Sequence, residues 1–133
     1  MALITKATDG SVDAATAMFA PQRSDGLLAG EALDALAPCY IKASDGKVYM
    51  SNGTAADEAA EFDGFTPRAY SAAEAVTLFG IGTRMRYATG LTPGATYFIA
   101  ATAGRLDTAA TTGDAVGVAR SINATTIRIT RDA

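Results

Sequence analysis

A handful of residue groups hold the side chains that could do chemistry. Gly80-Ile81-Gly82-Thr83 offers glycines of the kind that let a backbone close on a phosphate, but the third glycine and following helix of a dinucleotide fingerprint are missing. Asp57, Glu58, Glu61 and Asp63 gather carboxylates in one short stretch, as a cation site would. They lack the alternating Asp/Asn ligands, central Gly and terminal Glu of a calcium loop, so they read as the solvated start of a helix. Asp45 and Asp57 are carboxylates of the type that flank a glycosidic bond, yet spacing along a chain says nothing about spacing across a site. Cys39 lies between Pro38 and Tyr40 in an apolar run and reads as a small buried hydrophobe rather than a nucleophile. Arg84, Arg86 and Tyr87 form a small basic, aromatic spot, which is either an ordinary exposed strand face or a polar contact on a protein partner.

Composition narrows these readings further. The chain has 133 residues and no His, which removes His-dependent triads, the usual acid/base group at neutral pH and the commonest metal ligand. A single Cys excludes an intrachain disulfide and a Cys-cluster zinc site. The net charge of −3 argues against a nucleic-acid partner, because phosphate contacts need clustered Lys and Arg. No catalytic, cofactor-binding or metal-ligating set emerges, and the expectation is a protein that is not an enzyme. With 49% hydrophobic residues but only 8% aromatics and no Trp, a core is affordable but thin, so self-association is expected. Lys6 and Asp9 interrupt the start before an apolar leader develops, and Glu74 with nearby Gly and Ser breaks the apolar stretch from Ala69 to Gly82. The chain reads as soluble, made in a cytoplasm, with no membrane partner.

Residues 1–27 show no sustained period of 2 or 3.6. They read either as a loose terminus or as an arm that orders on a partner, with Leu3, Ile4, Val12, Met18 and Phe19 as its anchors. A short helix from Asp13 to Phe19 fits before Pro21. From Leu28 onward turn signals recur. Pro38–Lys42 and Lys47–Ser51 read as two strands joined through Asp45-Gly46, with Asn52-Gly53 as the next turn. Val48 and Met50 share one face there. Thr54 to Glu61 is helix-compatible, with Thr54 able to cap it. Ser71-Ala72-Ala73-Glu74 has capping-box spacing but runs into Val76-Thr77-Leu78-Phe79 and glycines, so a turn feeding a strand is expected. Thr92-Pro93-Gly94-Ala95 fits a type II turn ahead of the strand Thr96–Ala100. Val116–Arg120 reads as a strand with Val116 and Val118 on one face. Thr126–Arg131 alternates, with Ile127 and Ile129 inward and Arg128 outward. Together these give an all-β class, a compact small sandwich or barrel with at most one or two short helices, divided into an arm (1–27) and a β domain (28–133).

The run Gly90-Leu91-Thr92-Pro93-Gly94 leading to Tyr97, the Gly117-Val118-Ala119 of a later strand and the closing alternation to Ile129 resemble the small β modules of tailed-bacteriophage structural proteins. The middle, with Tyr40-Ile41, Asp45-Gly46-Lys47-Val48-Tyr49, Asn52-Gly53 and Asp63-Gly64-Phe65, is similar to capsid cement, or head decoration, proteins. The likeness spans about residues 28–131. It implies a β-tulip-like domain, a homotrimer over three-fold positions of the head, and an arm reaching onto the major capsid protein, hence a virion protein on the capsid exterior. The same pattern occurs in phage fibres, so a tail-fibre or head-fibre module binding a host receptor or glycan stands as the alternative.

Overall fold

Alternation decides the second half of the chain. Where apolar and polar residues strictly alternate, one face of an extended strand can be buried while the other meets water. Ile127 and Ile129 are fully buried and Arg128 is exposed, as this rule requires. The computed structural model describes residues 2–7, 11–12, 22–23, 26–54 and 57–131. Among them are the strands β1 (Ser11–Val12), β2 (Gln22–Arg23), β3 (Pro38–Ile41), β4 (Val48–Met50), β5 (Gly64–Phe65), β6 (Leu78–Phe79), β7 (Arg84–Arg86), β8 (Thr96–Ile99), β9 (Leu106–Asp107), β10 (Ala119–Ser121) and β11 (Thr126–Ile129). The helical element among the described residues is a single 3-10 turn at Glu58–Ala60.

The strands build two antiparallel sheets, one in the order β1-β7-β11-β10-β8-β9 and one in the order β2-β6-β5-β3-β4. The protein is therefore all-β, and of the two expected architectures the barrel is not formed, since neither sheet closes. Residues after Gly80 supply all of the six-stranded sheet except β1, and residues before it supply the five-stranded sheet. The Gly80–Thr83 turn, closed by the Thr83 N–H donating to the Gly80 carbonyl at 3.2 Å, carries the chain from one sheet to the other. Two buried clusters match this division. Met85, Tyr87, Tyr97, Ile99, Leu106, Ile127 and Ile129 fill the inner face of the six-stranded sheet, with Phe62 and Phe65 reaching in from the other half. Ala29, Leu33, Cys39, Val48, Tyr70, Val76 and Leu78 form the second cluster.

Several local expectations hold in detail. β3 and β4 pair with Tyr40 opposite Tyr49, which places the hairpin at Asp45-Gly46. Gly94 has φ +81°, and the Ala95 N–H donates to the Thr92 carbonyl at 3.1 Å, so Thr92–Ala95 is a type II turn. Ser71–Glu74 is a turn, with the Ser71 N–H donating to Glu74 Oε1 at 2.6 Å, and it leads to β6.

Others are corrected. Val116 is 80% exposed and lies outside any strand: Gly117 at φ +94° breaks the extended path, and β10 begins only at Ala119. Asp57, not Thr54, caps the short helical turn, its Oδ1 accepting from the Ala59 N–H at 3.0 Å. Thr54 instead donates from its backbone N–H and hydroxyl to Asn52 Oδ1. Gly53 is buried with no positive φ, and its place is dictated by crowding: a Cβ there would lie 2.3 Å from the Ile99 carbonyl oxygen. Val48 and Met50 do share a face of β4, both packing into the second core cluster, but Ser51 just beyond the strand is buried rather than turned outward, its hydroxyl donating to the Glu61 carbonyl. The helix expected from Asp13 to Phe19 lies outside the described residues.

Candidate functional site

Three of the five arm anchors can be placed. Residues 2–4 run beside β9, and Ala7 further on donates its N–H to the Tyr87 carbonyl at 2.8 Å. Leu3 bridges Asp107, the Ile4 N–H donates to the Leu106 carbonyl at 2.8 Å, and the Thr108 N–H donates to the Ala2 carbonyl at 3.0 Å. Side chains lock the same segment: Asp107 Oδ1 accepts from the Ala2 N–H at 3.0 Å, and the Arg105 guanidinium donates to the Ile4 carbonyl at 2.9 Å. Ile4 and Val12 are partly buried against the core of their own chain, so their apolar surface is already engaged. Leu3 is 42% exposed and faces outward. Met18 and Phe19 lie outside the described residues. β1 and β2 put the same N-terminal region at one edge of each sheet, Ser11 opposite Arg86 and Gln22 opposite Phe79.

Lys6 ties this segment to the other half. Its Nζ donates to the Ala35 carbonyl at 2.7 Å. Burial lowers its pKa to about 8, and Arg105 adds to the lowering while Asp34 opposes it. Tyr87 was grouped with Arg84 and Arg86 as an exposed aromatic spot, and this is corrected. Arg84 and Arg86 are exposed on β7, but Tyr87 follows the strand and turns wholly inward. Its hydroxyl is buried beside Arg105 with no partner at hydrogen-bond geometry, and burial raises its pKa.

The other candidate groups take structural roles. Cys39 is fully buried, its Sγ 3.4 Å from the Ala37 carbonyl, and burial pushes its thiol far up, leaving no thiolate at neutral pH. The acidic stretch holds backbone. Besides the Asp57 cap, Glu58 Oε2 accepts from the Ala43 N–H at 3.0 Å and Asp63 Oδ2 from the Ile41 N–H at 2.8 Å. Asp45 accepts from the Tyr49 hydroxyl at 2.6 Å and from the Lys47 N–H, bonds that lower its pKa in that order. Among the described residues no group of three or more His, Cys, Asp or Glu is placed to hold a metal ion, and no helix is long and apolar enough to cross a membrane.

One polar centre escaped the sequence reading. Asp114, 2% exposed, accepts from the Ile99 N–H at 2.8 Å, the Gly117 N–H at 2.8 Å and the Val116 N–H at 3.2 Å, with Arg131 3.6 Å away. It pins the loop before β10 to the end of β8. The only sequence signal was an Asp two residues ahead of a Val-Gly pair, too common to single out. Among the described residues the surface has shallow depressions of about 250 to 380 Å³, such as those lined by Arg84, Arg86 and Thr126 or by Thr5, Lys6 and Arg105. No protein-family model matches the chain, and no curated protein matches it.

Proposed function

We propose that this chain is a structural protein of a tailed-bacteriophage virion, one that decorates the head exterior and stabilises it by bridging major capsid protein subunits at three-fold and quasi-three-fold positions. In this reading it acts as a homotrimer, assembles in the host bacterial cytoplasm and performs no catalysis. The observation that supports it most is the form taken by the segment that carries the family resemblance. Gly90 to Ile129 folds as one antiparallel unit in which the type II turn at Thr92–Ala95 leads into β8, and β8, β10 and β11 lie side by side.

The physical task is reinforcement. A filled head pushes its subunits apart, and a protein straddling them adds contact area that must be lost before they separate. A standard interface is about 800 Å² per partner, and repetition over a lattice sums modest single contacts into strong resistance. Short strands closed by tight turns suit that load, because little of the chain can stretch before a hydrogen-bonded ladder has to break.

The fibre alternative would use aromatic faces to stack on sugars. Tyr40, Tyr70, Tyr87 and Tyr97 are buried, and the Tyr49 ring is covered by the Lys42 ammonium at 5.0 Å, which leaves little aromatic surface for that purpose. The test is to mix purified protein with empty expanded phage heads stripped of decoration protein. Saturable binding at fixed stoichiometry with improved heat resistance of the heads is expected. Binding to host cells or surface polysaccharide, with none to heads, would put the fibre reading in its place.

A further inference from the structure

The chain holds two asparagines, and one of them, Asn52, is followed by a glycine. In an Asn-Gly pair the backbone nitrogen of the second residue can attack the side-chain amide of the first, because glycine carries no Cβ to obstruct the approach. The Gly53 nitrogen would give its proton to hydroxide and bond to the Asn52 Cγ, while the Cγ–Nδ2 bond breaks and Nδ2 leaves as ammonia. Water then opens the cyclic imide. Cleavage at the side-chain carbonyl gives aspartate. Cleavage at the main-chain carbonyl gives isoaspartate, whose backbone runs through the side chain and is longer by one methylene.

The fold restrains the nitrogen that this reaction needs. The Gly53 N–H donates to the Ala100 carbonyl at 2.8 Å, and the Gly53 carbonyl accepts from the Gly113 N–H at 2.8 Å, so both of its backbone groups are tied to the six-stranded half. One residue earlier, the Ser51 carbonyl accepts from the Gly104 N–H at 3.0 Å, which continues the same joint. Gly53 is buried and has no room to turn, since a Cβ on it would collide with the Ile99 carbonyl oxygen and with Thr111 Oγ1. A buried amide held in this way releases its proton only when the structure around it opens, as in hydrogen exchange. The Asn52 side chain is the opposite case. Its Oδ1 accepts from the Thr54 N–H at 2.8 Å and from the Thr54 hydroxyl at 2.6 Å. Those bonds draw electrons away from Cγ and leave it the better electrophile, so the carbon is primed and the whole restraint rests on the Gly53 nitrogen.

We infer that Asn52 is a deamidation site held shut by the joint between the two halves: the reaction proceeds only when Gly53 leaves Ala100 and Gly113, and its isoaspartate product then keeps the joint from closing again. The two products differ in that respect. Aspartate keeps the normal backbone, and its carboxylate can still accept both Thr54 donors. Isoaspartate inserts an extra methylene directly before Gly53, so the spacing that lets Ser51 meet Gly104 while Gly53 meets Ala100 and Gly113 is lost. An opening that is reversible in the intact chain becomes permanent once the modification has occurred. The inference goes beyond the head-decoration reading and does not depend on it, since no head enters its test.

The experiment incubates the full folded chain in mildly alkaline buffer beside a synthetic peptide of residues 47–57, and follows Asn52 by peptide mass spectrometry. The folded chain is expected to deamidate at least about tenfold more slowly than the peptide. Urea added below the unfolding transition is expected to raise the rate in the folded chain, because it raises the population of open molecules. A second sample is aged while unfolded in urea, refolded and separated by gel filtration. The folded fraction is expected to contain Asn52 and its aspartate form, with isoaspartate depleted at least about tenfold relative to the unfolded fraction. Asn52→Asp, which makes the aspartate product directly, is expected to fold and to unfold at the same urea concentration as wild type. A folded chain that deamidates as fast as the peptide, a rate that urea leaves unchanged, isoaspartate spread evenly between the two fractions, or an Asn52→Asp chain that does not fold would each overturn the inference.

Discussion

The six-stranded and five-stranded halves meet the same requirement, burying one face of short strands, by different means. The six-stranded half relies on side-chain alternation: Met85, Tyr97, Ile99, Ile127 and Ile129 enter one cluster from β7, β8 and β11 in regular register. Its polar support gathers several backbone donors on single side chains: three on the Asp114 carboxylate, two on Asp107 Oδ1 and two on Asn123 Oδ1. The five-stranded half, whose strands have the same range of two to four residues as those of the other sheet, spreads its support over separate side chains that each hold one or two partners. Thr66 Oγ1 accepts from the Ala37 N–H at 3.0 Å and donates to the Asp34 carbonyl at 2.6 Å, Glu31 accepts from the Met50 N–H, and Asp63 accepts from the Ile41 N–H. The regular half is pinned at a few acceptors that each serve several donors, and the irregular half at more acceptors that each serve one.

The largest effect should come from breaking the concentrated pin. Asp114→Ala leaves buried backbone donors unmet, and at about 1–3 kcal/mol for each such group the loss should reach about 3 kcal/mol or more. Thr66→Val removes one link among many. The buried Ala37 N–H loses its acceptor while the exposed Asp34 carbonyl can turn to water, so about 1–2 kcal/mol is expected. Urea unfolding of the two variants measures both. Equal losses would erase the contrast between a concentrated and a distributed scaffold.

The same contrast explains what could be read in the sequence. The alternation of Thr126–Ile129, the hairpin around Asp45-Gly46 and the Pro93-Gly94 turn are local patterns, and each was legible because its cause lies within a few residues. The role of Gly53 was not, since it depends on the Ile99 carbonyl and Thr111 approaching from the other half. Leu36 adopts φ +53° although it is not glycine, held there by its own burial and by its N–H donating to the Thr66 carbonyl at 2.9 Å, thirty residues away. The N-terminal residues showed no period because each short piece pairs with a different strand: residues 2–4 with β9, β1 with β7 and β2 with β6. A two-residue strand has no period to show. The candidate site was partly legible: Cys39 was read correctly as buried, whereas the cross-strand stacking of Arg84, Arg128 and Arg120 depends on a register that only the fold supplies.

A smaller effect tests the junction between the halves. Folded Lys6 has its pKa lowered to about 8, against about 10.5 for a free lysine, chiefly through burial. Below pH 8 both folded and unfolded chains carry the ammonium, and the folded one bears its desolvation cost. Between about 8 and 10.5 the unfolded chain binds more protons, so wild-type stability rises with pH from this group. Lys6→Met removes the charge while keeping most of the side chain's length, and the exposed Ala35 carbonyl it leaves can turn to water. The variant should be more stable than wild type at pH 7, and its advantage should shrink as pH rises from 8 towards 10. An advantage that stays constant over that range would mean that the ammonium is well solvated at the junction.

The smallest effect comes from the charged row itself, and its sign is informative. Arg128 stands between two other arginines in direct register, so Arg128→Thr relieves repulsion along β7, β11 and β10 and substitutes a β-branched residue suited to a strand. At low salt the variant should gain about 0.2–1 kcal/mol in urea unfolding, and the gain should fade as screening shortens the reach of each charge to about 3 Å near 1 M salt. If Arg128→Thr destabilised the protein at low salt, the contacts that the neighbouring arginines make within the chain, such as Arg120 Nε on the Gly94 carbonyl, would outweigh the repulsion along the row.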